Sequence, residues 1–434
     1  MKYNIKDILR KGFDEFAQFV NPLIAERARI AGEPINFVKA ENGQLIDNKG
    51  NIYEDFHGCQ ALGHRNHAIT KAVREFLDTD SPSWYPSRVN PFAGRLAKEL
   101  CNRTGYSQVY FGCTGSEAVE ASIKLARVVT KRAKILSLEG AYHGCTYGSL
   151  ALMNEGAFRN PFGPHIPNIK AIPFACIDSL KSEFLKGDVA AVVVEPIQGE
   201  GGIRPLPQDF VDELCKITLE NNSLIIADEI QTSLGRSGHF IATSKWKRKP
   251  DVLLMGKALG GGLVPLSATL THANLFEKAY GIHYEAAESH NSTFSNNAVG
   301  CVAGLAALDI ITDDLVNHIS EIGREFRENI YNNLKGSPLF KEVRGDGLMI
   351  GIELNRLDNP WLSFEHFGYP EFANRVSTAL LLCSRLYKRG FYSFICGHNW
   401  SVIRLQPRFD ISKERLVEYT KVCRDELDFL YNQN

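Results

Sequence analysis

The chain has 434 residues, 44% of them hydrophobic and 23% charged, which is enough for a large apolar core and for more than one domain. Its 49 basic and 50 acidic side chains give a formal net charge of −1, so the strongly basic balance typical of proteins that bind nucleic acid or anionic membranes is excluded. The N-terminus shows no signal-peptide pattern, and no stretch approaches the roughly 20 apolar residues of a membrane span. The ten cysteines are scattered without a C-x-x-C pair. We therefore expect a cytoplasmic protein with reduced thiols and neither a nucleic-acid nor a membrane partner.

The elements predicted along the chain alternate between short apolar strands and amphipathic helices. Residues 1–45 indicate a helix and an extended lead-in, followed by a turn at 47–50. A helix is predicted over 116–130, where apolar residues recur on one face. The predicted strands are apolar throughout, as expected of parallel strands covered on both faces, and they lie at 109–111, 135–138, 190–194, 224–227 and 252–255.

The C-terminal part of the chain has a mixed pattern of helices and strands. It predicts a helix over 315–334, a strand over 348–353, a helix over roughly 370–387, a strand over 401–405 and a closing helix. The sequence therefore predicts an α/β fold, with a large domain at 46–320 built on a mostly parallel central sheet flanked by helices. A smaller α+β domain is expected at 321–434, with the segment 1–45 packing against it.

Two polar residues follow predicted strands. Asp228 comes directly after the apolar run 224–227, and ligands collect at the carboxyl edge of open α/β sheets. Lys257 follows the strand at 252–255 and precedes a run of glycines; an amine in a buried environment there is nucleophilic enough to form a Schiff base. Taken alone, Asp228 is better explained as a helix N-cap or a structural ion pair, and Lys257 as a surface lysine.

A third segment, 112–118, links a predicted strand to a predicted helix and is rich in glycine and hydroxyl groups. The N–H groups at the start of that helix favour a bound phosphate, although a plain N-cap at Thr114 or Ser116 explains part of the pattern. Pyridoxal 5′-phosphate needs an amine for its aldehyde, a carboxylate for its ring nitrogen and an anion pocket for its phosphate. Together, the three features predict a pyridoxal-phosphate enzyme with Lys257 as the anchor of the cofactor. No metal site is predicted.

These motifs resemble the class III aminotransferases, the ornithine, acetylornithine and 4-aminobutyrate type, within fold type I of the pyridoxal-phosphate enzymes. The resemblance runs from about Asn36 to the C-terminal helix. Its most specific stretches are LIIADEIQTSLGRSG at 224–238 and PDVLLMGKALGGG at 250–262. The resemblance implies a fold type I architecture, with Lys257 as the Schiff-base lysine and proton shuttle and Asp228 as the partner of the ring nitrogen.

The resemblance also implies the remaining cofactor-binding residues. Gln231 would bond the ring hydroxyl, while Ile230 and Tyr142 would pack on opposite faces of the ring. Ordinary turn and core positions are the alternatives for Gln231 and Tyr142. The other matching positions are the phosphate loop, the histidine beside Tyr142, and a threonine that reaches the phosphate of the neighbouring subunit, namely Thr114, Gly115, Ser116, His143 and Thr293. Thr293 thus implies a homodimer with its sites at the interface.

Two further residues concern the substrate. Glu200 matches the family's gate glutamate, and Arg404 matches the arginine that binds a substrate carboxylate, for which its planar fork is suited. In the family these two residues pair when an ω-amine donor is bound and separate to admit 2-oxoglutarate. A permanent structural ion pair is the alternative.

The sequence departs from the family pattern at several positions. Cys145 stands where many ornithine-type members have an arginine that holds the α-carboxylate of the donor, which weakens an ornithine or acetylornithine assignment. The segment 55–64, which normally lines the substrate pocket, is shorter than usual. Cys113 replaces a usual asparagine and Arg408 a usual proline, and neither is expected to touch the predicted chemistry.

The function that the resemblance implies is a ping-pong aminotransferase. It would move an amino group from a primary amine (a diamine, an ω-amino acid or a related amino acid) to a 2-oxo acid such as 2-oxoglutarate or pyruvate. A racemase, aminomutase or decarboxylase on the same scaffold is the alternative, because the motifs around Lys257 do not separate these reactions. A rival of another class is a nucleotide-binding or non-catalytic α/β protein that uses the glycines at 260–262 for phosphate. The sequence has neither a G-x-G-x-x-G after a first strand nor a P-loop pattern to support it.

Overall fold

The computed structural model describes residues 4–432 except 35, 42, 59, 358, 367 and 369–373. The chain divides into two compact units. One contains Met1–Asn66 together with Ile322–Asn434, and the other contains His67–Glu321. Within the described ranges, no helix combines the length and the apolar character that a bilayer crossing needs.

The N-terminal part begins with helices and continues with strands, in the order α1 (Ile5–Phe19), α2 (Pro22–Ile30), β1 (Phe37–Glu41), β2 (Gln44–Asp47) and β3 (Ile52–Asp55). Side-chain oxygens of Asn4 and Asn21 cap the two helices by accepting backbone N–H groups at 3.0 and 3.1 Å. The turn predicted at 47–50 connects β2 to β3. Its Asp47 carboxylate accepts two backbone N–H groups at 2.9 Å, which fixes the turn.

The unit His67–Glu321 carries the helices α3 (His67–Leu77), α4 (Pro91–Thr104), α5 (Gly115–Thr130), α6 (Tyr147–Ala151), α7 (Ile177–Phe184), α8 (Gln208–Glu220), α9 (Ala273–Tyr280), α10 (Tyr284–Glu288) and α11 (Ala298–Ile310). Its strands are β4 (Gln108–Gly112), β5 (Lys134–Leu138), β6 (Ile169–Ile172), β7 (Val189–Val194), β8 (Ile197–Gln198), β9 (Arg204–Pro205), β10 (Leu224–Asp228), β11 (Val252–Met255) and β12 (Ser267–Thr271).

In the described residues of this unit, seven strands form one sheet in the order β4-β12-β11-β10-β7-β5-β6. Strand β12 is antiparallel to both neighbours, and the other pairs are parallel. Alternate residues of β10 enter cores on opposite faces: Ile226 packs with residues of α5, and Ile225 packs with residues of α8. The predicted α/β fold with a mostly parallel sheet is therefore confirmed. Each of the five predicted strands also ends within one residue of its predicted bounds.

Strand β12 (Ser267–Thr271) was not among the predicted strands. It is buried along its whole length, yet every second residue carries a hydroxyl group, so it lacks the apolar run that marks the other strands. The hydroxyls are satisfied by backbone carbonyls: Ser267 donates to Thr114 at 2.6 Å and Thr269 donates to Ala118 at 3.2 Å. Because polar groups are tolerated in a core when they are hydrogen-bonded, composition alone conceals a strand of this kind.

A buried carboxylate stabilises the β5–β6 edge of the sheet. Glu183, near the end of α7, is 4% exposed. Its oxygens lie 3.3, 2.8 and 3.0 Å from the amines of Lys134, Lys170 and Lys186. Burial opposes ionisation of Glu183, but the hydrogen bonds of the three lysines outweigh burial and lower the pKa of Glu183 to about 2. The ionised carboxylate therefore stabilises the folded state.

Glu183→Gln is expected to lower the free energy of unfolding by about 2 kcal/mol at pH 7. The folded-state pKa of Glu183 lies below the ordinary value of 4.5. The contribution of its carboxylate to stability is therefore complete above pH 5 and is lost as the pH falls towards 2. Urea unfolding of both proteins across that range measures the difference, which must shrink with acid. The control is Glu213→Gln, which breaks one partly exposed pair with Lys181 at 3.4 Å and should cost less than about 1 kcal/mol. Equal costs for the two variants would contradict the prediction.

The C-terminal part contains α12 (Asp313–Leu334), β13 (Phe340–Asp346), β14 (Met349–Leu354), α13 (Thr378–Lys388), β15 (Phe391–Tyr392), β16 (Phe394–Ile395), β17 (Val402–Leu405) and α14 (Lys413–Tyr431). Short 3-10 turns lie at Asn160–Phe162, Ala242–Lys245 and Lys257–Gly260 in the His67–Glu321 unit, and at Pro360–Leu362 in the C-terminal part. The predicted helix at 370–387 begins only at Thr378; residues 370–373 lie outside the described residues. Helix α13 begins there because the Ser377 hydroxyl donates to the Leu362 carbonyl at 2.6 Å, which fixes the preceding loop.

Two sheets build the unit formed by the chain ends. Strands β13, β14, β17 and β16 form an antiparallel sheet, and β1, β2, β3 and β15 form the other. In the second sheet, β15 pairs in parallel with β3. The pairing joins Glu54 and Asp55 to a C-terminal strand, within the compact unit that contains Met1–Asn66. The predicted domain boundary at residue 46 stays a prediction.

Candidate active site

Two neighbouring parallel strands bring the predicted anchor lysine and the predicted carboxylate to one edge of the sheet. Asp228 ends β10 and pairs in register with Leu254 of β11. Lys257 follows the end of β11 after a single residue, Gly256. Both residues therefore lie at the carboxyl edge, where open α/β sheets bind their ligands.

Lys257 has an unusual backbone and an exposed side chain. Gly256 and Ala258 on either side of it are buried. Its φ of +46° lies in the left-handed region that residues other than glycine rarely adopt. Strain of this kind persists where the surrounding structure imposes it, often at functional positions. Exposure is also what the surface-lysine alternative predicts, so the left-handed backbone is the feature that distinguishes this lysine.

Asp228 forms a buried pair with a histidine. Its Oδ2 atom lies 2.7 Å from Nδ1 of His143, and its Oδ1 atom accepts the N–H of Ile230 at 3.1 Å. Burial alone would lower the pKa of His143, but the hydrogen bond and charge of Asp228, with the charge of Glu195, outweigh burial and raise it. The structural ion pair that was the alternative for Asp228 is therefore present. It also fixes the carboxylate for a ligand at the sheet edge.

Glu195 belongs to the same cluster as Asp228 and His143, and no pattern in the sequence had singled it out. This residue directly follows β7, as Asp228 ends β10, and it is 6% exposed. Its two oxygens accept the N–H groups of Tyr142 at 2.9 Å and Gly199 at 3.0 Å. Burial raises the pKa of Glu195 to about 7, although the nearby His143 opposes the shift. The signal that could have found it is the one used for Asp228, a carboxylate after a buried apolar strand.

The start of α5 is a capping box that leaves two N–H groups for an anion. The Thr114 hydroxyl accepts the N–H of Glu117 at 3.3 Å, and the Glu117 carboxylate accepts the N–H groups of Thr114 and Cys113. The N-cap alternative thus holds for Thr114. Gly115 and Ser116 are the first two helical residues, so their N–H groups have no acceptor within the helix and point towards its N-terminal end.

Close approaches at glycines join this helix start to neighbouring segments. A Cβ atom on Gly144 would lie 2.1 Å from Ser116 Oγ, and one on Gly115 would lie 2.7 Å from Ile230 Cδ1. A Cβ atom on Gly256 would lie 3.2 Å from Ile230 Cγ2. Ile230 therefore contacts the segments on either side of it, and the predicted phosphate loop, the carboxylate and the lysine lie close together.

Tyr142 and Gln231 lie on the same side of the unit as this cluster. The Tyr142 hydroxyl is 3.2 Å from the thiol of Cys145, which is exposed. Gln231 approaches the turn that carries Glu200, because a Cβ atom on Gly199 would lie 2.0 Å from Gln231 Oε1. Glu200 itself is partly buried. The structure thus joins Tyr142, through the carboxylate of Glu195, to the loop at Gly199.

Thr293 lies on a neighbouring loop, and its side chain is exposed. Its carbonyl accepts the indole N–H of Trp84 at 2.8 Å. His290, three residues earlier, lies 2.9 Å from the Glu117 carbonyl in the first turn of α5. The segment is thus anchored beside the predicted phosphate loop.

Arg404 belongs to the other compact unit. It is a buried residue of β17, 8% exposed, and its Nη2 atom lies 3.4 Å from Nδ1 of His57. His57 lies in the segment 55–64 that the sequence assigned to the substrate pocket; Cys59 lies outside the described residues. In that segment Asp55 Oδ2 is 2.9 Å from Nε2 of His64, which fixes the loop.

Arg408, which departs from the family pattern, has a structural role. Its guanidinium pairs with the buried Glu54 at 3.1 Å and with Asp410 at 2.7 Å. The expectation that it stands apart from the chemistry agrees with these contacts.

The residues of the His67–Glu321 unit fit pyridoxal phosphate. Gln231 Oε1 is a buried acceptor that has no hydrogen-bond donor in the described part of the chain, so it is available to the ring hydroxyl. The N–H groups of Gly115 and Ser116 suit the phosphate, and the absence of a side chain at Gly144 leaves room beside Ser116 Oγ. Asp228, held by His143, supplies a carboxylate at the same edge of the sheet as Lys257.

Gly199→Ala is expected to lower the affinity for pyridoxal phosphate and kcat/KM by roughly tenfold each, about 1.4 kcal/mol. The added methyl group would displace the Gln231 side chain from a distance of 2.0 Å. Titration of the apoprotein and steady-state kinetics measure the two effects. The matched control is Gly94→Ala in helix α4, where among the described residues the new Cβ would meet nothing within 4 Å beyond its chain neighbours and the backbone of its own helix, and which should leave both quantities unchanged. The double variant Gly199→Ala, Gln231→Ala should lose no more cofactor affinity than Gln231→Ala alone. Additive losses would show that Gly199→Ala does not act through Gln231.

Comparisons with known proteins agree with this geometry. The family model for aminotransferase class III matches residues 27–426. The aminotransferase PigE of a Serratia species is 30% identical over 96% of this chain and 54% of its own length, so the chain spans about half the length of that relative. The ornithine aminotransferase of Macrococcus caseolyticus is 36% identical over 88% of this chain and 91% of its own. A structure of the ornithine aminotransferase of Toxoplasma gondii, with partial occupancy of pyridoxal phosphate at its active site, is 25% identical, with a TM-score of 0.83 over 100% of this chain and 99% of that one.

The fold and the carboxyl-edge cluster define a fold type I pyridoxal-phosphate enzyme. The chain belongs to the class III aminotransferase family. It is a pyridoxal-phosphate-dependent aminotransferase that transfers an amino group from an amine to a 2-oxo acid. The racemase, aminomutase and decarboxylase alternatives are not favoured, and the nucleotide-binding alternative is not the function of this family.

Proposed function

We propose that Lys257 is the covalent anchor of the cofactor and the group that moves the proton at the reacting carbon. The observation that carries this proposal is the strand-end arrangement, in which the exposed and strained Lys257 lies one strand from Asp228. When bound, pyridoxal phosphate supplies an aldehyde for the amine and a ring that withdraws electrons from the substrate carbon. Asp228, held by His143, keeps negative charge at the ring nitrogen. Gly115 and Ser116 bind the phosphate, with Thr114 capping that helix.

The remaining site residues orient the ring and the substrate. Tyr142 and Ile230 bracket the ring, and Gln231 accepts its hydroxyl. Arg404 binds the carboxylate of the 2-oxo acid, for which a buried guanidinium on a rigid strand is suited. Glu200 acts as the gate residue on the turn after β8. We further propose that the two compact units are the small and large domains of the enzyme.

The donor is proposed to be a primary amine at the end of a diamine, an ω-amino acid or a related amino acid. Ornithine is a candidate because relatives at 32–36% identity are ornithine aminotransferases. Cys145 argues for a donor that needs no cation at that position, since it is an exposed thiol beside the Tyr142 hydroxyl.

A donor panel tests this assignment. Ornithine, N-acetylornithine, 4-aminobutyrate and putrescine are each supplied with 2-oxoglutarate or pyruvate, and glutamate or alanine formation is measured. Parallel double-reciprocal lines are expected for a ping-pong reaction. Arg404→Ala should raise KM for the 2-oxo acid far more than KM for putrescine, which has no carboxylate. Equal effects on both would remove Arg404 from its proposed role.

The enzyme is proposed to be a homodimer in which Thr293 reaches the phosphate site of the partner. The loop exposes Phe294 (64% exposed) beside Trp84 (43% exposed), and clustered apolar groups on a surface mark an interface. Mixing Lys257→Ala and Thr293→Val subunits tests the proposal. If Thr293 acts across the interface, each mixed dimer contains one complete site and activity returns; if it acts within its own subunit, no complete site forms.

A cytoplasmic location is also proposed. The nine cysteines among the described residues are all free thiols, which suits a reducing compartment. Fluorescent tagging of the full chain in cells tests it, and a secreted or membrane-associated signal would refute it.

A further inference from the structure

A buried carboxylate joins two loops of the candidate active site. Glu195 accepts the N–H of Tyr142 with one oxygen, at 2.9 Å, and the N–H of Gly199 with the other, at 3.0 Å. The first loop continues into His143, the partner of Asp228. The second continues into Glu200. The residue that makes both contacts is 6% exposed, so water does not compete for its oxygens.

The two loops require close fixation because little space separates them from their neighbours. The Gly199 position is so near the Gln231 side chain that a Cβ atom there would lie 2.0 Å from Oε1. If the Gly199 backbone shifted, it would collide with the Gln231 side chain. If the Tyr142 backbone shifted, the phenol ring of Tyr142 would shift with it. The charged groups that act on Glu195 are His143 and Asp228.

We propose that Glu195 is a positioning residue for amino transfer, whose two carboxylate oxygens hold the Tyr142 and Gly199 backbones as one unit around the cofactor. This proposal rests on the cofactor-binding roles proposed above for Tyr142 and Gln231. It requires both oxygens to act as acceptors. The ionised carboxylate meets this requirement, whereas protonation turns one oxygen into a hydroxyl, which is a donor and a weaker acceptor.

Glutamine keeps the shape of the protonated side chain and one acceptor oxygen, so Glu195→Gln is an informative variant. Its amide has one acceptor oxygen, and its NH₂ group cannot accept the second backbone N–H. The pKa of Glu195, raised by burial to about 7, means that the wild type gains its second acceptor as the pH rises through 7. The advantage of the wild type over the variant should therefore appear only at the higher pH.

The experiment is a titration of the apoprotein with pyridoxal phosphate, followed by tryptophan fluorescence from pH 5.5 to 8.5. The ratio of dissociation constants, Glu195→Gln over wild type, is expected to be near one at the acid end and roughly tenfold at the alkaline end. Ionisation of the cofactor phosphate affects both proteins and largely cancels in the ratio, whereas the pKa of His143 falls in the variant because the charge of Glu195 no longer raises it. Kinetics with saturating donor should show a lower kcat for the variant at pH 8.

The matched control is Glu229→Gln. Glu229 is also fully buried, with its pKa raised by burial, and it accepts the backbone N–H groups of Ala242 and Thr243 at 2.6 and 2.8 Å. These residues lie outside the candidate site. The control should lower thermal stability without a pH-dependent change in cofactor affinity.

A ratio near one at pH 8.5, or the same ratio for Glu229→Gln, overturns the proposal. If Glu195→Gln does not fold, Glu195→Asp replaces it. The shorter carboxylate keeps its charge but loses reach to one N–H, so weaker cofactor binding that remains at pH 8 is expected, and wild-type binding overturns the proposal. A wild-type apoprotein that takes up no pyridoxal phosphate at any pH refutes the proposed cofactor site instead.

Discussion

Lys257→Ala is expected to end covalent retention of the cofactor and to lower kcat/KM by roughly 10⁴-fold or more, because the variant loses both the attachment amine and a proton-transfer group. Lys257 is the residue that the strand β11 presents at the carboxyl edge beside Asp228. Borohydride reduction followed by peptide mass spectrometry should place the cofactor on the wild-type peptide that contains Lys257. In the variant that peptide should carry no added mass.

The matched control is Lys247→Ala. Lys247 is an exposed lysine ten positions earlier, and its amine pairs with Asp212. Its removal should leave kcat/KM and the borohydride result unchanged. Retention of the cofactor label by Lys257→Ala, or near-normal turnover, would remove Lys257 from both roles and with it the central assignment of the site.

The second large effect is expected for Asp228→Asn, which keeps the shape of the side chain but removes its charge. We expect kcat to fall by roughly 10²–10³-fold, because charge placed where the ring nitrogen lies is a large electrostatic contribution in a water-poor site. The pKa of His143 should also fall, since the hydrogen bond and charge of Asp228 raise it. Steady-state kinetics and NMR titration of isotope-labelled histidine measure the two effects.

Asp251→Asn is the matched control for Asp228→Asn. Asp251 lies at the opposite, amino edge of the same two strands, where it accepts the N–H of Ile225 at 2.8 Å and pairs with Arg248. Its replacement should lower the free energy of unfolding but leave kcat near the wild-type value. If both variants lost activity equally, the effect of Asp228 would be one of general stability rather than of its place in the site.

Local patterns predicted much of the fold correctly. The strands β7, β10 and β11 are apolar on both faces, so their sequences mark both their bounds and the edge at which Asp228 and Lys257 stand. Strand β12 was missed because its alternating hydroxyl groups break the apolar pattern that marks the other strands. In the fold these hydroxyl groups are satisfied by carbonyls of distant residues. The start of α13 was misplaced because tertiary hydrogen bonds, rather than helical periodicity, set it.

The sequence named candidate site residues but not the contacts that the structure shows between them. The sequence identified His143 beside Tyr142, but not the bond from His143 to Asp228, 85 residues away. The contact between Glu195 and Tyr142 spans 53 residues, and no local pattern encodes such a pairing. The exposure of Lys257 also depends on what packs across the strand end, which local sequence does not encode. The domain bounds and the roles of all the candidate site residues remain predictions.

The left-handed backbone at Lys257 has a consequence for the evolution and engineering of this enzyme. A φ of +46° is a conformation that glycine, or less readily asparagine, adopts at lower cost than lysine. A library of variants screened for thermal resistance alone would therefore accept glycine at position 257, and under the role proposed for Lys257 those variants would be folded but inactive. A stabilisation screen on this scaffold must therefore also measure turnover.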